Sequence, residues 1–161
     1  MSKIAVLGDI HGNNYLLIKL LEILGKENID EYIICGDNIT DGFENNQIVY
    51  TLRKNSKCII AGNREMSVAY YDGISWRDNP AMKSMVYAFG ELTLENKLYL
   101  KSLPIYKIFE IDGKKICVSH GSPYNVRDAV DDNSEDMFDN LLKDYPSDVY
   151  IFAHTHSPFK R

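Results

Sequence analysis

Cysteine is scarce in this chain, and the three that occur, Cys35, Cys58 and Cys117, form no CxxC pair. Each sits inside an apolar run, which points away from a thiolate metal knuckle or a disulfide framework and predicts buried, reduced thiols. Long hydrophobic runs are missing too: none approaches the roughly 20 residues of a membrane span. Met1-Ser2-Lys3 passes straight into a strand-like run, so no secretory leader is expected. Positive charge is also in short supply. Lys and Arg number 18 against 23 Asp and Glu, for a formal net charge of −5. A duplex nucleic-acid interface needs a basic face, so that partner is not expected, whereas a pocket for one or two phosphates is untouched by this balance. No repeat, low-complexity tract or linker breaks the 161 residues. The expectation is one cytoplasmic domain over residues 1–161, without a membrane partner.

What is present is an alternation of strands and helices. Residues 3–8 read as a buried strand, followed by a helix from near Gly12-Asn13 in which Leu17, Leu20, Leu21 and Leu24 share a face. Residues 31–35 and 57–61 are two more strands with a helix over 45–53 between them, the pattern of a parallel sheet. Residues 65–103 are harder to read. Pro80 can open a helix running to Ala88, and 94–100 is another. Segments 105–111 and 114–119 flank Asp112-Gly113, a two-residue hairpin signal. Asn133 or Ser134 can cap a helix with Met137, Phe138, Leu141 and Leu142 on its apolar face. Residues 148–153 form the last strand. Tyr70, Tyr71 and Trp76 could stack on a nucleobase, but within a helical cap they are expected to pack as core or rim.

All four histidines, His11, His120, His154 and His156, fall one to three residues beyond the end of a predicted strand. So do Asp9, Asp37 and Asn63. In open α/β sheets ligands bind outside the carboxyl ends of the strands, so five strand ends offer Asp-x-His, Asp, Asn, His and His-x-His toward one rim. Neighbouring glycines at 8, 12, 36, 62 and 121 permit sharp exits. A lone histidine there would ordinarily be a packed or solvated side chain, but the whole constellation is hard to reach by chance. Seven nitrogen and oxygen donors exceed one tetrahedral site, and the mixture suits Mn, Fe, Zn, Co or Ni better than Mg alone. Two ions sharing a carboxylate is the economical arrangement, able to clamp both oxygens of an in-line displacement.

At these residues the sequence resembles the calcineurin-like metallophosphoesterase superfamily, through Gly8-Asp9-Ile10-His11-Gly12, Gly36-Asp37-Asn38, Gly62-Asn63-Arg64-Glu65, Ser119-His120-Gly121 and Ala153-His154-Thr155-His156. GDIHGNNYLLIKLL, HGSPYN and AHTHSPF look most like the small bacterial and archaeal phosphodiesterase group. The resemblance implies a β-sandwich flanked by helices in αββα layers. It implies that Asp9, His11 and His156 hold one divalent transition-metal ion, that Asn63, His120 and His154 hold a second, and that Asp37 bridges them. It further implies hydrolysis by a hydroxide between the metals, without a covalent intermediate, on a small phosphodiester or nucleotide phosphoanhydride. Arg64 and His154 would be catalytic, and Arg64 with Asn63 would touch the substrate phosphate. The alternatives are a phosphomonoesterase or protein serine/threonine phosphatase, and a catalytically weak scaffold of the same fold.

The sequence departs from that family in two places. Arg64 stands where the family usually has histidine; arginine can grip phosphate oxygens but cannot give up a proton near neutral pH, forfeiting help worth about 10²–10⁴-fold where a leaving group needs protonation. The chain also ends five residues after His156, where family members continue with closing strands, and the expectation is a longer physiological polypeptide.

Overall fold

Short apolar segments become two small sheets. A computed structural model describes residues 1–161, the side chain of Ala81 excepted. Ile4–Leu7 (β1), Glu31–Ile34 (β2) and Cys58–Ile59 (β3) form a parallel sheet in the order β1-β2-β3. Tyr106–Ile111 (β4), Lys114–Ser119 (β5) and Val149–Ile151 (β6) form a second, with β4 antiparallel and β6 parallel to the central β5. Asp112 (φ 51°) and Gly113 (φ 73°) make the β4–β5 turn, both in the left-handed region that such a two-residue hairpin demands.

The period of two along β2 supplies two cores at once. Ile33 and Cys35, with Cys58 and Ile60, face Ile116 and Val118 of the second sheet. Ile34 faces the other way with Leu7, against Leu17 of helix Asn14–Leu24 (α1) and Ile48 and Leu52 of helix Asn45–Asn55 (α2). Helix Glu135–Asp144 (α6) covers the second sheet: the Tyr150 hydroxyl donates to the Leu141 carbonyl at 3.2 Å, and the Phe138 and Phe152 rings lie 6.4 Å apart. The layers therefore run helix, sheet, sheet, helix, as expected. Cys35, Cys58 and Cys117 are buried and free, and burial pushes the Cys35 thiol up to about 12. No helix among the described residues is long and apolar enough to cross a membrane.

Three local readings change. Asn63 opens a helix, Asn63–Ala69 (α3), in and just before the stretch whose sequence is hard to read. The segment from Pro80 splits into a 3₁₀ turn, Pro80–Met82, and helix Lys83–Glu91 (α4), followed by Leu94–Ser102 (α5). Ser134 does precede α6, but its hydroxyl serves Asp131 rather than the helix: it accepts the Asp131 N–H at 3.0 Å and donates to the Asp131 carboxylate at 3.1 Å. Helices α3, α4 and α5 close over Ile39 and Val49 with Val68, Met85, Ala88, Leu92 and Leu100. Tyr71 and Trp76 stack there at 4.7 Å, with Phe89 edge-on to Tyr71 at 5.1 Å, so those two ring systems are committed to packing. Tyr70 stays exposed beside Lys101.

Candidate metal centre

The strands end one to five residues before the chemically active side chains, somewhat earlier than the sequence suggests, and the intervening turns are stitched backbone to backbone. The Asp9 N–H donates to Gly36 O at 3.0 Å, His11 N–H to Asp37 O at 3.0 Å, and Gly12 N–H to Asn38 O at 2.9 Å, lacing the β1 exit to the β2 exit. Ala153 N–H reaches His120 O at 2.9 Å, joining the two exits of the second sheet. His154 N–H then donates to Asp9 Oδ2 at 3.3 Å, tying one sheet to the other. Two glycines make this possible. A Cβ on Gly12 (φ 72°) would lie 2.6 Å from Gly42 N, and one on Gly36 (φ 87°) would lie 2.7 Å from Gly62 Cα. Both turns also need the left-handed backbone that glycine adopts at least cost.

Five of the candidate ligands share that conformation without being glycine: Asp9 (φ 52°), His11 (47°), Asp37 (52°), His154 (69°) and His156 (54°). Each costs on the order of 1–3 kcal/mol, and such residues persist where the surrounding structure over-determines them. The result is two clusters. Asp9, His11 and His156 bring one donor atom each to within 4.8 Å of one another, and Asp37, His120 and His154 do the same. His156 Nε2 is 3.1 Å from Asp9 Oδ1. His11 Nε2 lies 3.8 Å from Asp9 Oδ1 and 4.0 Å from Asp37 Oδ2, between the clusters.

His120 tests whether these donors suit a cation. It is wholly buried, and its Nδ1–H donates to the Cys35 carbonyl at 2.8 Å, which leaves Nε2 as the inward-facing atom. Around Nε2 converge Asn63 Oδ1 at 3.2 Å, His154 Nδ1 at 3.2 Å and Asp37 Oδ2 at 3.4 Å. Oxygens and a lone-pair nitrogen this close repel unless a positive charge, a proton or a metal ion, sits among them. Two donors each about 2.1 Å from one ion are held roughly 3.0–3.4 Å apart, the spacing seen here. Both ring nitrogens of His11 are buried without a well-formed hydrogen bond, although Nδ1 is 3.0 Å from Asp41 Oδ2. The donor set fits a pair of divalent ions: Asp9, His11 and His156 would hold one, Asn63, His120 and His154 the other, with Asp37 between.

The charges of the site are coupled to one another. Burial opposes ionisation of Asp37, but the His120 imidazole and the Arg64 N–H, 2.8 Å from Oδ1, hold its carboxyl below the usual range. Burial would lower His120, and Asp37 outweighs it and raises it. His154 is lowered, by burial and then by His120, which keeps its ring neutral. The neutral His154 ring and the ionised Asp37 carboxylate are the forms that ligate, whereas His120 gives up its proton when an ion takes its place beside Asp37.

Arg64 is half-buried at the rim: Nη2 is 3.2 Å from Asp41 Oδ2 and Nε 3.9 Å from Asp37 Oδ2. It is not a solvated surface residue.

Two residues of the site escape sequence reasoning. Glu65 is fully buried, and its carboxylate accepts the Asp37 N–H at 2.8 Å, the Asn38 N–H at 2.7 Å and the Gly62 N–H at 2.9 Å. Its signal was a Glu three residues after the Gly62 helix start, the spacing of a capping box. Asp41 pairs with His11 and Arg64 and accepts the Ser84 hydroxyl of α4 at 2.6 Å. Partners of this kind orient ligands, and removing one costs roughly 10–100-fold in metal affinity or activity. Asp41→Ala is expected to fall in that range when Mn affinity is titrated; an unchanged affinity would show that His11 needs no such tether.

The family model of the calcineurin-like phosphoesterases matches residues 2–158. An uncharacterized protein of Methanocaldococcus jannaschii is 26% identical over 164 residues, covering 98% of this chain and 64% of its own length. A metallophosphoesterase structure from Sphaerobacter thermophilus superposes with a TM-score of 0.74 at 20% identity, over 98% of this chain and 62% of that one. A hypothetical protein from Pyrococcus horikoshii OT3 gives 0.77 at 23% identity, over 99% of this chain and 71% of that one. At such identities the two structures bear on the fold, and this chain spans about two thirds of the length of each relative.

Proposed function

The chain belongs to the calcineurin-like phosphoesterase family, and on that premise we propose that it hydrolyses a small phosphodiester or nucleotide phosphoanhydride with the help of two divalent transition-metal ions. The observation that carries this reading is the convergence of Asp37, Asn63, His120 and His154 donor atoms around one buried point, beside the Asp9, His11 and His156 cluster. Bound ions would polarise the phosphoryl oxygens and lower the pKa of an attacking water. The protein's own residues supply the rest. Asp37 and Asp9 set the charge of the site, and the left-handed turns hold donors to the placement that metal sites require. Arg64 presents N–H donors to phosphate oxygens from the α3 end of the rim. His154, held neutral, lines the same rim.

Arg64 also sets the expected leaving-group preference. A guanidinium stabilises developing charge but cannot protonate a departing alkoxide. Phosphoanhydrides and aryl diesters should therefore turn over faster than alkyl monoesters. Turnover of bis-p-nitrophenyl phosphate by the Mn-reconstituted protein tests the reading itself, and none after reconstitution would overturn it. Arg64→His is expected to raise alkyl monoester hydrolysis relative to p-nitrophenyl substrates, by up to the about 10²–10⁴-fold that general-acid help can supply. Equal changes for both leaving groups would show that proton donation is not what separates the two residues.

A further inference from the structure

A second arginine stands near this rim with its charge unspent. Ser67 lies on α3 four residues after Asn63, the spacing that returns to the same helix face about 6 Å along the axis. Its hydroxyl accepts a hydrogen bond from Arg127 Nη2 at 3.1 Å. Arg64, three residues before Ser67, is a neighbour on the same helix surface. Arg64 and Arg127 thus both lie against α3, one beside Asn63 and the other about one helical turn further along. They differ in their partners. Arg64 leans on Asp41 and Asp37, whereas Arg127, though exposed, has no ion pair among the described residues.

Arg127 is placed by structure rather than dangling from a loose loop. It follows His120-Gly121 in a segment folded tightly on itself. Ser122 N–H donates to Asn125 O at 3.0 Å, and Arg127 N–H donates to Asn125 Oδ1 at 2.9 Å. The Ser122 hydroxyl donates to the Asp128 carboxylate. A Cβ on Gly121 would lie 2.7 Å from Asn125 O and 2.8 Å from Asp128 N, so the segment closes back onto the residue next to His120.

We propose that Arg127 binds a second phosphate group of the substrate, the one joined to the scissile phosphate in a phosphoanhydride. This rests on the phosphoesterase reading above and narrows it to substrates with a P–O–P bridge. Hydrolysis of that bridge adds one water: its oxygen bonds to one phosphorus, and the bridging oxygen departs on the other phosphate as an oxyanion. The water's protons pass to the products or to solvent. Such a leaving group needs charge stabilisation and no proton, which matches a rim furnished with two arginines and no acid at residue 64. A forked guanidinium can take two oxygens of the departing phosphate.

The test compares wild type, Arg127→Ala, Arg127→Lys and Ser67→Ala, all Mn-reconstituted. Rates are measured on a dinucleoside polyphosphate and on bis-p-nitrophenyl phosphate, which has a single phosphate. Equilibrium binding of methylenediphosphonate, an inert P–C–P analogue, is measured against methylphosphonate by calorimetry. Arg127→Ala is expected to lower the ratio of kcat/KM for polyphosphate over diester by about 10- to 100-fold, chiefly through KM. The diphosphonate preference should fall alongside it. Arg127→Lys should recover part of both, and Ser67→Ala should shift both slightly in the same direction. Ratios unmoved by Arg127→Ala, or diphosphonate and monophosphonate weakened equally, would overturn the proposal. A wild type inert toward every phosphoester would sink the phosphoesterase reading, and the diphosphonate comparison would still decide Arg127.

Discussion

Asp37→Asn is expected to abolish hydrolysis and to cost the protein at least one of the two metal ions proposed for the site. Asparagine keeps the shape and tolerates the left-handed backbone (φ 52°) of this position, so the turn should survive. What it removes is the negative charge among His120 at 3.4 Å, Arg64 at 3.9 Å and His11 at 4.0 Å from Oδ2. It also places an amide where a carboxylate can serve two cations. Deleting one preorganised electrostatic contact to a transition state costs on the order of 10²–10³ in rate. A residue that organises both clusters should exceed that scale on bis-p-nitrophenyl phosphate. Metal analysis after Mn reconstitution gives the independent readout. Two ions retained, with a rate within tenfold of wild type, would mean Asp37 is not the shared ligand.

Glu65→Ala is expected to produce the largest loss of stability of any single substitution in the rim. Burial pushes the Glu65 carboxyl above its ordinary range, and three backbone N–H groups act in place of water to hold it. Truncation would strand the N–H groups of Asp37, Asn38 and Gly62 in the interior. Each unsatisfied buried donor costs about 1–3 kcal/mol, so a combined loss of roughly 3–5 kcal/mol is reasonable after partial relaxation. For a chain this size that is a fall in Tm of about 6–20 °C. Glu65→Gln keeps an acceptor but turns an NH₂ toward a backbone donor, and should lose less. Urea unfolding of the metal-free protein isolates the effect from ligand binding. A change below 1 kcal/mol for the alanine variant would mean water replaces the carboxylate without penalty.

Strand ends were readable because they combine three local signals: an apolar run, a glycine, and a polar side chain that has no business in a core. That is why Asp9, Asp37, His120 and the two histidines after β6 could be placed at one rim from the residues alone. Helix α3 was not readable. Its seven residues are too few for a helical period to emerge, and its start is a glycine with no capping side chain. Asp41 was hidden for another reason. It meets His11 and Arg64 only because Thr40 and Asp41 both turn left-handed (φ 73° and 59°), and nothing in the order of residues announces that turn. The Ser67–Arg127 bond spans two elements far apart in the chain and was equally invisible.

Most of what shapes the rim is peptide group bonded to peptide group, from Asp9 to Gly36, His11 to Asp37, Gly12 to Asn38 and Ala153 to His120. Amide and carbonyl are the same whatever side chain they carry. Lineages can therefore exchange the residues that do chemistry one at a time while the frame is inherited intact. Arg64 sits in that frame beneath a helix start that Glu65 secures. In this architecture the frame that aims a reaction and the reagents it aims are separable.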